Sequence, residues 1–294
     1  MRVPPRATAI LGALLVILAV GVTVGIGQMR GDPGGWRDDF NGPLDSSAWL
    51  AYHNTYGDGN HELACLQPEN VRTVDGELVI TALRQSAVCP NGSVRRFTSG
   101  FIGSGDVGRY YPRYGRFEMR ARAPHGQGLW PAFWLRHADG SRTGEVDVLE
   151  LFHSQLPGQA SQTLHIDGTS TSTHTPLEAV SPAGGWHTYA VEISPDGSGA
   201  TVQFEIDGRP TGRHRIPPEA GALHGDPQHT WDIAINLAVG GDWVGDPDGT
   251  LGELVGVQRC AQGAGLLGAC PDAGILRAEF PSEYRIDYVS YEPL

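Results

Sequence analysis

The chain has 294 residues, and its 21 basic side chains, all arginine, stand against 33 acidic ones for a formal charge of −12. Without a lysine it can hold no P-loop lysine, no Schiff-base lysine for pyridoxal phosphate or aldol chemistry and no kinase-type strand lysine. The acidic balance also disfavours nucleic acid and anionic membrane surfaces, which need a basic excess to displace counterions, and it favours neutral partners.

At the N-terminus Arg2 and Arg6 precede 21 uncharged residues, Ala7 to Gly27. The run is longer than an ordinary signal core of about 7–15 residues and close to the ~20 that cross a bilayer. Residues 1–30 are therefore read as a signal peptide or an uncleaved signal anchor, with Gly25 and Gly27 offering a small-x-small cleavage site before Gln28. The positive end stays inside, so residues 31–294 are expected outside the cytoplasm as a single domain. It would be secreted or held on the outer face of the cytoplasmic membrane, which it would touch only through the anchor.

Four cysteines suit an oxidising compartment. They fall into two local pairs, Cys65 with Cys89 and Cys260 with Cys270, and two disulfides are expected, although the other pairings stay open on arithmetic. Neither pair has a CxxC spacing, and the eleven histidines show no HExxH or comparable ligand spacing.

From Trp36 onward, short β-branched or alternating runs are separated by turn clusters. They are Val71–Leu83, Phe97–Ser104, Tyr114–Ala123, Gly128–Arg136, Glu145–Phe152, Thr163–Asp167, Trp186–Ile193, Thr201–Asp207, Trp231–Val239 and Tyr284–Tyr291. That spacing predicts an all-β fold, a two-sheet antiparallel sandwich, with Asp75-Gly76 and Asp207-Gly208 as hairpin turns. The Gly-rich stretch Gly245–Gly274, which encloses the second cysteine pair, reads as a stapled surface loop.

The segment Gly144-Glu145-Val146-Asp147-Val148-Leu149-Glu150-Leu151-Phe152 sets three carboxylates among Val, Leu and Phe. On a regular strand Glu145 and Asp147 share one face and Glu150 points to the other. One β-bulge near Val148-Leu149 restores the parity and puts all three on one side. Four effective steps of ~3.3 Å then part the glutamates by about 13 Å at Cα. Side chains leaning inward would bring the carboxyls to about 5 Å, the spacing of retaining glycosidases. In Gly128–Leu135, alternation gathers Trp130, Ala132 and Trp134 on one face, a platform for sugar rings. In Tyr114–Arg122 it sets Phe117, Met119 and Ala121 inward, with Arg116, Glu118, Arg120 and Arg122 on the polar side.

Glu145-Val146-Asp147-Val148-Leu149-Glu150 resembles the bulged catalytic strand of glycoside hydrolase family 16, and Tyr114–Leu135 is similar to its laminarinase-like branch. Further similarity lies in Pro68–Val71, Thr163–His165, Trp186–Val191, Ile235–Trp243 and Arg285–Val289. The resemblance implies a concanavalin A-like β-jelly roll with a concave cleft and a monomeric retaining endo-β-glucanase that needs no cofactor for catalysis. Its substrate would be a neutral β-glucan, preferably β-1,3-glucan.

Carried over by motif, Glu145 is the nucleophile, Asp147 its helper and Glu150 the acid/base, with His165 beside them. Trp130, Trp134 and Trp243 would stack on sugars, and Asn70, Glu118, Arg120 and Asn236 would bond hydroxyls. Asp287, with backbone oxygens near Asp39 and Gly76, would hold a structural calcium ion. The chain departs from the family pattern at Gln203-Phe204-Glu205-Ile206, at His61–Gln67 with its cysteine, at Val244 after Trp243 and in the Cys260–Cys270 loop. These departures bear on linkage. A mixed-linkage glucanase, another β-glycan hydrolase or a transglycosylase of the same fold is the sibling reading, and a non-catalytic glucan-binding protein is the alternative of another class.

Overall fold

A computed structural model describes residues 34–139, 143–152, 156, 158–177, 184–249 and 277–294. In chain order its strands begin with β1 (Trp36–Asp38), β2 (Leu50–Ala51), β3 (Ala64–Leu66), β4 (Val71–Val74), β5 (Glu77–Ala82) and β6 (Ala87–Val88). There follow β7 (Val94–Arg95), β8 (Phe97–Ser99), β9 (Phe101–Gly103), β10 (Gly115–Arg122), β11 (Leu129–His137), β12 (Gly144–Glu150) and β13 (Gln159–Ile166). The last are β14 (Thr169–Pro176), β15 (Trp186–Asp196), β16 (Gly199–Ile206), β17 (Arg209–Ile216), β18 (Trp231–Val239) and β19 (Ser282–Glu292).

Two antiparallel sheets carry the fold. One runs β17-β16-β15-β10-β19-β5-β4 with β1 added on β19, and the other runs β14-β13-β12-β11-β18-β9-β2. Strict alternation decides which face of each strand is inside. Phe117, Met119 and Ala121 of β10 are fully buried, and so are Val191 of β15 and Ile286 of β19. From the other sheet, Phe133 and Leu135 of β11, Val146 and Leu149 of β12, and Ile233, Ile235 and Leu237 of β18 join them in one continuous core. Each such side chain apart from Ala121 contributes about 1.5–3 kcal/mol on burial, and a one-residue slip in either sheet would turn the whole set outward. The result is the two-sheet antiparallel sandwich expected from the alternating runs and, in its jelly-roll form, from the family resemblance.

The expected hairpins form at Asp75-Gly76 and Asp207-Gly208, where both residues of each turn have positive φ (53° and 77°; 51° and 68°). That is the signature of the primed turn whose twist matches its flanking strands. A third such turn, Asp167-Gly168 (47° and 80°), joins β13 to β14. Strands β14 and β17 are additions to the expected set. Each ends its sheet and exposes at least half of its residues, so neither Thr-Ser-Thr-Ser-Thr-His nor Arg-Pro-Thr-Gly-Arg-His carries an apolar stripe to read.

Cys65 of β3 is bonded to Cys89, with Cα atoms 5.7 Å apart, closing a loop of sequence separation 24. A crosslink of that span stabilises a fold by roughly 3 kcal/mol, chiefly by restricting the unfolded chain. Cys260, Cys270 and the N-terminal segment 1–30 lie outside the described residues.

Candidate active site

The geometry of the site originates in one extra residue on β12. Against β11, Leu149 pairs with Phe133 but Asp147 pairs with Trp134, so Val148 is unmatched; the register against β13 shifts over the same residues. This bulge leaves Val146, Val148 and Leu149 all in the core and returns Glu150 to the face of Glu145 and Asp147. Direct cross-strand partners share a face, and the partners of Glu150, Asp147 and Glu145 are Ala132, Trp134 and Arg136. The three acids therefore line the same surface as the two tryptophans. Gly144 lets this strand lie close under its neighbours, since a Cβ there would stand 2.7 Å from that of Ala222 and 3.2 Å from the Trp231 ring.

The acids differ in environment. The Glu145 side chain is 41% exposed, whereas Asp147 and Glu150 are buried at 4% and 8%. Burial, reinforced by the charge of Glu145, pushes Asp147 well above the usual carboxylate range. Burial also pushes Glu150 well up, aided by the charges of Asp147 and Glu145 and opposed by the hydrogen bond from Trp130 and the nearby His165. The indole Nε1 of Trp130 donates to Glu150 Oε1 at 3.0 Å. His165, opposite Glu145 on β13, holds Nε2 at 2.9 Å from Asp147 Oδ2 and 3.9 Å from Glu145 Oε1; its Nδ1 meets Ser170 Oγ at 2.6 Å. A site with one ionised and one protonated carboxyl can pair a nucleophile or base with an acid. Glu145, Asp147 and His165 also bring ligand atoms within 4.8 Å of one another, the one such cluster found among the described residues.

Aromatic rings and an amide form the floor. Trp134 Nε1 donates to Asn236 Oδ1 at 2.8 Å, which sets Asn236 beside that ring. Trp130, Phe152 and Trp243 make a row with centroids 5.4 and 6.1 Å apart, and Trp243 is half exposed. Phe152 belongs to this surface although only the tryptophans were expected there. Its signal was present, because two residues past Glu150 on an alternating strand returns to the same face.

Three residues expected to bond substrate lie elsewhere. Glu118 and Arg120 sit on β10 of the other sheet, on the side away from the core. There Glu118 is held by Arg116 Nη2 (2.7 Å) and Tyr288 Oη (2.6 Å), and Arg120 pairs with Asp287 (2.7 Å). Alternation gave their face correctly but not their sheet. Asn70 is 3% exposed, and its Nδ2 is engaged by Thr81 O at 2.7 Å and Thr98 Oγ1 at 3.2 Å, so it braces β5 and β8 and has no donor left for a sugar. Asp287 does not fit a calcium site. The Arg120 guanidinium is 2.7 Å from its Oδ2, so a divalent cation at this carboxylate would meet a positive charge already in place.

Residues 58–251 match the family model Glycosyl hydrolases family 16. The glucan endo-1,3-beta-glucosidase of Cryptopygus antarcticus is 30% identical over 227 residues, which cover 71% of this chain and 81% of that protein. The glucan endo-1,3-beta-glucosidase A1 of Niallia circulans is 31% identical over 242 residues, covering 71% of this chain but 34% of that protein, so the chain spans about a third of its length. Among solved structures, the laminarinase catalytic domain from Thermotoga maritima is similar with a TM-score of 0.67 at 25% identity, covering 88% of this chain and 97% of that one.

Proposed function

Because the chain belongs to glycosyl hydrolase family 16, and is thereby a hydrolase of O-glycosyl bonds that needs no cofactor for catalysis, we propose that it is an exported, endo-acting β-glucan hydrolase. Its preferred substrate in this reading is β-1,3-glucan, cleaved by double displacement with retention. The observation that carries the proposal is the bulge on β12, which sets Glu145, Asp147 and Glu150 on one face beside Trp130 and Trp134.

In the first step the Glu145 carboxylate attacks the anomeric carbon, while the glycosidic C–O bond breaks and the departing oxygen takes the proton of Glu150. In the second, Glu150 as a carboxylate removes a proton from water. The oxygen of that water displaces Glu145 and restores both groups. Asp147, whose carboxyl is pushed well up by burial and by the charge of Glu145, lies between the two glutamates on the strand. His165 Nε2, 2.9 Å from Asp147 Oδ2 and 3.9 Å from Glu145 Oε1, fixes the Asp147 carboxyl. A purely glucan-binding role would leave these buried acids without a use, because burying a carboxyl away from solvent is unfavourable unless its altered protonation is needed.

The linkage is tested by product analysis on laminarin, lichenan, cellulose, xyloglucan and agarose. Oligosaccharide release from laminarin above all others is expected, and activity on agarose with none on laminarin would overturn the substrate assignment. Export is proposed from Arg2 and Arg6 ahead of the uncharged Ala7–Gly27 run, and the Cys65–Cys89 bond suits the oxidising compartment that export reaches. N-terminal sequencing of culture-medium protein should begin near Gln28; recovery of the whole activity in the cytosol would refute export.

A further inference from the structure

The row of side chains that crosses the sheet at Glu145 ends on a hydroxyl. Glu145 of β12 is opposite His165 of β13, and His165 is opposite Ser170 of β14, so the three share a face. The turn Asp167-Gly168 fixes this register locally, because a two-residue primed turn sets which residues of its flanking strands meet. Ser170 Oγ lies 2.6 Å from His165 Nδ1, and the other ring nitrogen, Nε2, lies 2.9 Å from Asp147 Oδ2. In the next row the hydroxyls of Thr163 and Ser172 meet each other at 3.0 Å, which leaves the ring to Ser170.

The proposed hydrolysis gives Ser170 no part, yet its chemistry suits one. The His165 side chain is 39% exposed and sits one strand from the sheet edge, where a ring held at a single nitrogen is free to pivot. A second bond, at Nδ1, fixes the ring plane. A neutral imidazole has one N–H and one lone pair. In one tautomer Nε2–H donates to Asp147 and Nδ1 accepts; in the other Nδ1–H donates and Nε2 accepts. A hydroxyl meets both, since it rotates and carries a donor as well as acceptor lone pairs. A carboxylate in its place would only accept, and a methyl group would do neither.

We infer that Ser170 is a positioning residue of this site: through Nδ1 it holds the His165 ring against Asp147 in either tautomer. The inference rests on the glucan-hydrolase reading above.

The test is kcat and KM on laminarin for the wild type, Ser170→Ala, Ser170→Thr, His165→Ala and the double variant Ser170→Ala/His165→Ala. Ser170 is exposed on an edge strand, so these changes at it open no cavity. Ser170→Ala should lower kcat by about three- to tenfold, the worth of one hydrogen bond, with KM little changed. Ser170→Thr keeps the hydroxyl on a residue that strands favour and should restore kcat. On the His165→Ala background the residual kcat should be the same with or without the Ser170 hydroxyl. An unchanged kcat in Ser170→Ala, or a loss of the same factor on the His165→Ala background, overturns the positioning role while leaving the glucanase reading intact. So does a rise in KM without a fall in kcat, which would mark Ser170 as a sugar contact. A wild type inactive on every polysaccharide of the linkage series overturns both.

Discussion

Glu145→Gln is expected to lower kcat on laminarin by roughly 10⁴- to 10⁶-fold while the melting temperature stays within a few degrees of the wild type. The amide is isosteric and the Glu145 side chain is half exposed, so the change removes a nucleophile without opening a cavity. A structural role would behave differently, because a carboxylate that merely ordered β12 would lose stability and activity together. Chemistry can separate the two directly. In Glu145→Ala, azide added with an aryl β-glucoside of a suitable oligosaccharide should occupy the vacated space, attack the anomeric carbon and expel the aryl oxide, giving a glycosyl azide of inverted configuration. Such a product identifies Glu145 as the group that forms the covalent bond in the intact enzyme. Unchanged turnover in Glu145→Gln would sink the mechanism, and an azide product of retained configuration would reassign the nucleophile.

Much of the site could be read from residue order because strand parity is a hard constraint. Three carboxylates with offsets of two and three can share a face only through a bulge, and Val148 supplies it. Parity also grouped Trp130 with Trp134, and the family motif added Asn236, whose strand is the neighbour of theirs in one sheet. It failed where sheet membership mattered. Glu118 and Arg120 alternate correctly on β10, but nothing in a period of two states that β10 pairs with β15 and β19 rather than with β11. Asn70 failed for another reason: a short 3-10 turn, Pro68–Asn70, aims its amide into the sheet, and such a turn has no periodicity to read. The environment of each acid was equally out of reach, since the indole bond to Glu150 joins residues 20 apart in the chain.

Glu150→Gln should give the opposite balance of effects, a slower but more stable protein. On glucan, loss of the general acid is expected to lower kcat by about 10²- to 10⁴-fold. On a dinitrophenyl glycoside, whose leaving group departs without a proton, the first step should be nearly spared. Stability follows from the sign of the shift. In the unfolded chain the Glu150 carboxyl titrates at about 4.3, whereas in the fold it titrates well above the usual range because of burial and the charges of Asp147 and Glu145. Its protonated form suits the fold. The favourable state is fully present below about pH 4 and is lost as pH rises through the folded value, where the charge must be buried. Gln carries no such charge, so Glu150→Gln should melt above the wild type at neutral pH, with the difference vanishing near pH 4. The same reasoning gives Trp130→Phe a defined direction. It removes the Nε1–H bond that favours the carboxylate form of Glu150, raises the carboxyl further, and moves the basic limb of the pH–kcat/KM profile to higher pH. A basic limb that stays in place in Trp130→Phe, together with full glucan turnover by Glu150→Gln, would remove Glu150 from the acid role and leave its burial without a catalytic reason.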